Sequence, residues 1–363
     1  MARKIVVLSD GTGNSSAAIW RTNVWRTFEA LDLSCSDQVA FYDDGVGTSS
    51  FKPLAILGGA FGIGLRRNVI DIYKFVCRNW KNEADEIFGF GFSRGAFTIR
   101  VVMGLILDQG LVQADNEIEL HHLATAAYKD YHSRKYHTVW WEIFNKDRKI
   151  PPSRTAANNR PVNSIRFLGL CAYGLPVDEM TRGVSKWIWP LELPGRVLDP
   201  RVQRACHALA LDDERTTFHP VLWDESAQAS AVADQGRPLS DERISQVWFS
   251  GMHSNVGGGY PDDSLAHIPQ YWIMKEAQKC GLKFKSAPIA DPDSMINTKA
   301  ARDTDGRLYD SRRGLGSYYR YGPRKLAELC NEKFSSKTGD AVLIRLPKIH
   351  ESVFKRIENN AHP

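Results

Sequence analysis

Short apolar runs alternate along the chain with longer stretches whose apolar residues recur at helical spacing. Lys4 to Leu8 is β-rich and predicts a strand ending in the turn cluster Asp10-Gly-Thr-Gly-Asn14; a Trp-bearing helix follows around Trp20 to Leu31. Gln38 to Tyr42 predicts a second strand, which runs into Asp43-Asp44-Gly-Val-Gly47. The glycine-rich run Gly58 to Gly64 leads into an amphipathic helix with Val69, Ile72, Tyr73 and Val76 on one face. Glu86 to Phe90 reads as a short buried strand, Gly91 to Gly95 as a sharp turn, and Ala96 to Leu107 as a mostly apolar helix. Strands that alternate with helices predict an α/β chain with a mostly parallel central sheet, covered by helices on both faces.

Beyond the third helix the pattern loosens. Leu111 to about Lys149 reads as helical and rich in His, Tyr and Trp, and Pro151 to Pro161 as a polar loop, so residues 111–161 are expected to form a helical insertion over the sheet. Ser164 to Leu170 predicts another strand. Ala172 to Leu198 is irregular and contains the apolar knot Trp187-Ile-Trp-Pro-Leu191, flanked by Arg182, Lys186 and Arg196. That segment reads either as a lid or lipid-facing element or as an aromatic knot packed on its own domain. Pro200 to Leu211 predicts a helix, Thr216 to Trp223 a strand ending at Asp224-Glu225, and Gln246 to Phe249 the last core strand. A helix is expected over Ser264 to Cys280, then a basic, aromatic loop (Arg312 to Arg324) and a late strand, Ala341 to Leu346. No repeat or linker interrupts the 363 residues, which predicts one domain with a C-terminal elaboration over 281–363.

Composition narrows the function classes. With 47 basic and 42 acidic residues the net charge is +5, too mild to imply a nucleic-acid partner. Six cysteines (35, 77, 171, 206, 280, 330) form no C-x-x-C pair, which argues against a zinc ribbon and for reduced thiols. The apolar run after Arg3 and Lys4 is too short for a signal peptide, and none is long enough to span a bilayer. The expectation is a soluble, cytoplasmic chain; export by a route without a cleaved signal would leave no mark here.

The chemistry concentrates at Gly91-Phe-Ser-Arg-Gly95. In Gly-x-Ser-x-Gly between a strand and a helix, the Ser sits on a strained turn with its hydroxyl exposed, and the glycines let strand and helix pass closely. Ser93 is therefore the candidate nucleophile. A Ser hydroxyl needs a base, and His253, in the Gly-rich loop after the last core strand, is the histidine placed to serve; His350 is the reserve. The oxyanion donors expected are the backbone amide of Arg94 and one from the loop at Gly11 and Thr12 after the first strand. Asp10 and Gly11 fit an Asx turn equally well. A haloacid-dehalogenase phosphatase would need its nucleophile two residues before Asp10, where Leu8 stands. Metal-dependent phosphoester chemistry from Asp10, Asp43 and Asp44 is a further alternative, although no metal or other cofactor is expected.

Together these residues resemble the α/β-hydrolase domain family typified by phospholipase effectors of bacterial type VI secretion. The blocks that carry the resemblance are Asp10-Gly-Thr-Gly-Asn14, Tyr42-Asp-Asp-Gly-Val-Gly-Thr48, Gly58-Gly-Ala-Phe-Gly-Ile-Gly-Leu65, Gly91-Phe-Ser-Arg-Gly-Ala-Phe97, Phe167-Leu-Gly-Leu170, His207-Ala-Leu209, Gln246-Val-Trp-Phe249 and His253-Ser-Asn-Val-Gly-Gly-Gly-Tyr260. The resemblance implies a serine carboxylester hydrolase acting on phospholipid or related acyl esters, with peripheral membrane contact and Ser93 and His253 in the triad. One block departs. Members continue the strand at Phe167 to Leu170 into Trp-Asp-Thr-Val, and that Asp is the candidate triad acid; here the continuation is Cys171-Ala-Tyr-Gly-Leu-Pro176. Asp224, after the next predicted strand, is the first replacement, with Glu225 and Asp178 behind it. The alternative is a catalytically impaired homologue that binds lipid or protein.

Overall fold

The structure is a computed structural model. It describes residues 2–11, 20–45, 60–135, 153, 155–172, 197–215, 218–225, 242–285, 303–310, 321–324, 326, 344 and 347–359. The apolar knot at 187–191, most of the loop at 312–324, the Gly58-Gly59 start of the glycine run, Thr12 and Asp178 lie outside them.

Strand β1 (Lys4–Ser9) is apolar on both sides, and the fold uses both. Ile5 and Val7 face a core shared with α2 (Ala60–Asn79), α3 (Arg94–Gln109) and α4 (Glu117–Lys135); Val6 and Leu8 face a second core under α1 (Asn23–Ala30). The period-2 geometry of a strand forces this split, so a continuous apolar run marks a strand buried on both faces. The predicted face of α2 is the buried one: Val69, Ile72, Tyr73 and Val76 are fully inaccessible.

The described strands form one seven-stranded sheet in the order β2-β1-β3-β4-β5-β6-β7, every pair parallel. The others are β2 (Gln38–Asp43), β3 (Glu86–Phe92), β4 (Phe167–Cys171), β5 (Ala205–Ala210), β6 (Ile244–Phe249) and β7 (Lys348–Ile349). The chain steps from β1 outward to β2, then returns to put β3 on the other side of β1. That reversal opens a crevice at the carboxyl ends of β1 and β3, where Asp10 and Ser93 stand.

Two sequence expectations fail next to each other. Pro200 to Leu211 was expected to be helical, yet Ala205–Ala210 is strand β5, paired in register with β4 and β6. Its alanines look helix-forming, but every residue of the strand is buried between its neighbours, and tertiary pairing overrides that propensity. Thr216 to Trp223 was expected to be a strand; its described residues form none, and the Trp223 amide donates to the side chain of Gln246 on β6. The late strand expected at Ala341 to Leu346 lies mostly outside the described residues, and Lys348–Ile349 is the pair that joins β6.

The expected insertion contributes α4, which packs on α2 and α3 through Leu120, Ala124, Ala127 and Tyr128. Its last turn is tied to α3 by Arg134, which pairs with Asp108 and, at 2.9 Å, with Asp130. After β6 come a short helix α5 (His253–Gly257), α6 (Ser264–Lys279) and, beyond β7, α7 (Glu351–Glu358). Residues 303–310 lie against α5 and α6: Asn255 donates to the Arg307 carbonyl (3.1 Å), and Arg356 to those of Thr304 and Gly306 (2.8 and 2.9 Å).

Candidate active site

Ser93 is the N-cap of α3 with φ 54° and ψ −122°, a conformation outside the regions a residue with a Cβ ordinarily occupies. Such strain costs about 1–3 kcal/mol and persists only where surrounding packing imposes it. Here the packing is the contact between α3 and β1: a Cβ on Gly95 would stand 2.0 Å from the Ser9 carbonyl oxygen, so only glycine lets the helix start this close to the strand. The Ser93 amide donates to the Cys171 carbonyl (3.2 Å), which continues the β3–β4 ladder up to the elbow itself. Arg94 is the first residue of α3, where backbone amides point out of the helix end.

His253 opens α5 immediately beyond β6 and is 8 % exposed. Its ring lies 4.9 Å from that of Phe92, the residue next to Ser93, and 4.8 Å, edge-on, from that of Phe218. The imidazole is thereby brought to the rim of the sheet where Ser93 stands, although 160 residues separate them in sequence (253 minus 93). Its Nε2 is buried and carries no hydrogen bond. Burial pushes its pKa down to about 3, with Asp213 opposing and Arg215, Arg324 and Arg94 reinforcing the shift, so the ring is neutral at physiological pH.

Asp213, three residues past the end of β5 and fully buried, was missed by the sequence reading. Its Oδ2 accepts the backbone amide of His253 (3.2 Å), and Arg215 grips it through Nε to Oδ1 (2.8 Å) and Nη2 to Oδ2 (2.5 Å). Burial pushes its pKa up, but the Arg215 hydrogen bonds and charge, with His253 and Arg324, bring it below the usual carboxylate range, so it is ionised. The signal available was the pair Asp212-Asp213 at the end of a buried run; the run was taken for a helix, which hid that its end lies on the sheet's carboxyl edge.

Asp224 is flanked by residues held along the middle of β6. Its neighbours Trp223 and Glu225 are both bonded to the side chain of Gln246, midway along β6 (2.7 and 2.9 Å), and Glu225 shares Lys348 with Glu242, which precedes β6. Three residues of strand, roughly 10 Å, separate Gln246 from the carboxyl end of β6. Glu225 is likewise occupied away from the site. His350 stacks on Phe249 (4.6 Å) and accepts from the Ser352 amide (3.2 Å), as the cap of α7.

Asp10 is buried, and its carboxylate accepts from the Gly11 amide (2.6 Å), the Thr22 hydroxyl (2.5 Å) and the Tyr42 hydroxyl (2.7 Å). The Asx-like closure is thus the arrangement seen, and the Gly11 amide is directed at Asp10. Burial raises the Asp10 pKa to about 6 against the pull of those three hydrogen bonds. Asp43 accepts from Ser9 (2.7 Å) and Asn68 (2.8 Å), so the two carboxylates serve as braces for the β1 and β2 ends. Ala172, where the resemblance expects an Asp, directly follows β4 with φ 42°, and its amide donates to the Ala208 carbonyl (2.8 Å).

A parallel sheet crossed by such an elbow, with a histidine delivered from the far end of the chain, defines an α/β-hydrolase-like protein. The chain belongs to the family described as the type VI secretion system phospholipase effector Tle1-like catalytic domain, whose model matches residues 3–276. It is 23% identical to the uncharacterized protein YEL023C of Saccharomyces cerevisiae, over 80% of this chain and 59% of that one. The chain thus spans about three-fifths of that relative. Among solved structures it is similar to an uncharacterized protein from Pseudomonas aeruginosa (15% identity, TM-score 0.46, 83% of this chain and 48% of that one). It is also similar to the Tle1 effector bound to the VgrG spike (14% identity, TM-score 0.44, 87% and 79%) and to the butyrate-bound esterase Est2 of Thermogutta terrifontis (13% identity, TM-score 0.36, 79% and 86%). No described helix is long and apolar enough to cross a membrane.

Proposed function

We propose that the chain is a serine carboxylester hydrolase of the lipase or phospholipase kind, folded as one domain with the 111–161 insertion and the 281–363 elaboration. The Ser93 hydroxyl oxygen attacks the ester carbonyl carbon while the buried Nε2 of His253 takes its proton. The tetrahedral oxyanion is held by the Arg94 amide at the start of α3; the Gly11 amide would have to turn from Asp10 to serve as the second donor. Collapse of that intermediate breaks the bond to the leaving alkoxide, which receives the proton from His253; water then hydrolyses the acyl-Ser93 ester by the same relay. Asp213, rather than Asp224, holds the backbone of His253 and faces the imidazolium that forms in each step. The single observation behind this assignment is the 4.9 Å ring contact between Phe92 and His253, one residue from Ser93.

A second reading draws on Ala172, which stands where the resemblance expects the acid: a protein that keeps the cleft for binding lipid or protein and has lost turnover. A fluorophosphonate probe separates the two. Labelling of the wild-type chain but not of Ser93→Ala supports the hydrolase; folded wild-type protein that takes no label supports the binding protein.

A further inference from the structure

Trp20 stands just before α1 with 48 % of its surface exposed, on the wall of an open cleft of about 620 Å³. The cleft runs between the start of α1 and the start of α6, and its size falls within the roughly 300–1,000 Å³ of small-molecule sites. Its two walls come from segments that also hold the rim at Ser93 and His253. Thr22, just beyond Trp20 and Arg21, donates to Asp10 (2.5 Å) and forms an antiparallel bridge with Gly258, which directly follows the helix that His253 opens. From there the chain passes through Tyr260 into Pro261, Asp262 and Asp263 on the opposite wall.

The charged side chains of the cleft are matched to one another. Arg21 pairs with Glu29 (2.5 Å) and Arg26 with Asp263 (2.5 Å), while Asp262 accepts from the Ser264 hydroxyl (2.7 Å) and amide (3.1 Å). His267 lies 3.4 Å from the Gln270 side chain, and burial, with Arg26 nearby, holds its pKa below the ordinary value. A neutral imidazole offers one donor and one acceptor and adds no charge. An anion in this cleft would meet three carboxylates, and a cation two guanidinium groups, so either would compete with pairs already formed. Trp20 and Pro261 are the apolar lining residues, too few to cover an acyl chain. A neutral polyol suits the lining better. Its hydroxyls both donate and accept, and so bridge the edges of paired Arg and carboxylate groups, while the C–H face of a sugar ring packs on the electron-rich face of an indole.

We propose that this cleft is a carbohydrate subsite that seats a neutral sugar ring against Trp20, so that the esters favoured at the neighbouring rim are acylated sugars. The word ester rests on the hydrolase reading; the sugar site stands on the cleft alone. Selectivity among alcohols of the ester would then lie with α1 and α6 rather than with the elbow.

The test is calorimetric titration of the full chain with maltose, lactose and xylobiose, and with choline and inorganic phosphate as charged alternatives. We expect at least one of the sugars to bind with a Kd of about 1 mM or tighter, and the two ions not to bind in that range. Trp20→Ala should weaken the sugar at least tenfold, and Trp20→Phe should retain part of the affinity. Hydrolysis of octanoyl glucose should exceed that of methyl octanoate in kcat/KM, and Trp20→Ala should bring the two rates together. Wild-type protein that binds none of the sugars overturns the proposal, an outcome that needs no variant to fold. Sugar binding that survives Trp20→Ala, or Trp20-dependent binding of choline or phosphate in place of sugar, overturns it as well. Equal hydrolysis of the two esters by a sugar-binding chain overturns the substrate assignment. Sugar binding with hydrolysis of neither ester sinks the hydrolase reading and leaves the sugar site, whereas hydrolysis of both without sugar binding does the reverse.

Discussion

The ring of Phe92 lies 4.9 Å from the imidazole of His253, tilted by 36°. Phe92 ends β3 and His253 begins α5, so this contact joins the elbow to the loop after β6. It also depends on Gly257: a Cβ there would stand 1.9 Å from the Phe92 ring. We expect Gly257→Ala to push α5 off Phe92 and to reduce kcat by at least tenfold while the thermal transition stays cooperative. Ester hydrolysis and differential scanning calorimetry check this, and unchanged kcat would show that His253 acts from elsewhere.

Asp213 and Asp224 make opposite forecasts. Replacing the acid of a Ser-His-Asp triad by Asn costs on the order of 10⁴ in turnover, because the imidazolium loses its partner and the ring its orientation. We expect a loss approaching that size for Asp213→Asn and less than a few-fold change for Asp224→Asn, whose two neighbours are held along the middle of β6. Equal effects of the two would remove Asp213 from the mechanism.

Ala172 tests the family pattern directly. Its φ of 42° is a left-handed value that Asp and Asn adopt more readily than Ala. Ala172→Asp should therefore fold with stability within about 1 kcal/mol of wild type, and in the Asp213→Asn background it should recover part of the lost turnover. Urea denaturation and steady-state kinetics of the double variant are the measurements; no recovery would mean that a carboxylate at 172 does not reach the imidazole.

The pH dependence follows from groups held away from their ordinary values. His253 and His207 are both pushed down to about 3 by burial, from 6.5. Between about 3 and 6.5 the unfolded chain binds two protons that the folded chain does not, so their contribution to stability falls as pH drops through 6.5. Asp10, raised from 3.8 to about 6, works the other way, because the folded chain binds the extra proton between those values. The two histidines outweigh the one carboxyl. The melting temperature should fall from pH 7 to pH 4.5, and Asp10→Asn should steepen that fall. In the same range kcat/KM should stay flat until unfolding intervenes, since His253 remains neutral; a limb near pH 6.5 would contradict its burial.

Much of this protein was legible in one dimension because it is locally encoded. The parallel strands declare themselves as apolar runs, the α2 face as a 3.6-residue period, and the elbow as a pentapeptide with a strand before it and a helix after. Ser93 and His253 could be named because their surroundings are set by neighbours in sequence: a strained turn at one, a Gly-rich loop after a core strand at the other. Asp213 could not. Whether Ala205–Ala210 is a strand depends on β4 and β6 standing on either side of it, and an alanine-rich run carries no mark of that until the sheet is assembled. With β5 unseen, the sequence points to Asp224, one segment later, and gives no reason to single out Asp213. Local propensity and periodicity determined most of the elements and the strained turn at Ser93; only the packing of distant segments decided that Ala205–Ala210 is a strand and which charges lie near the imidazole, because burial and pairing are properties of the folded neighbourhood.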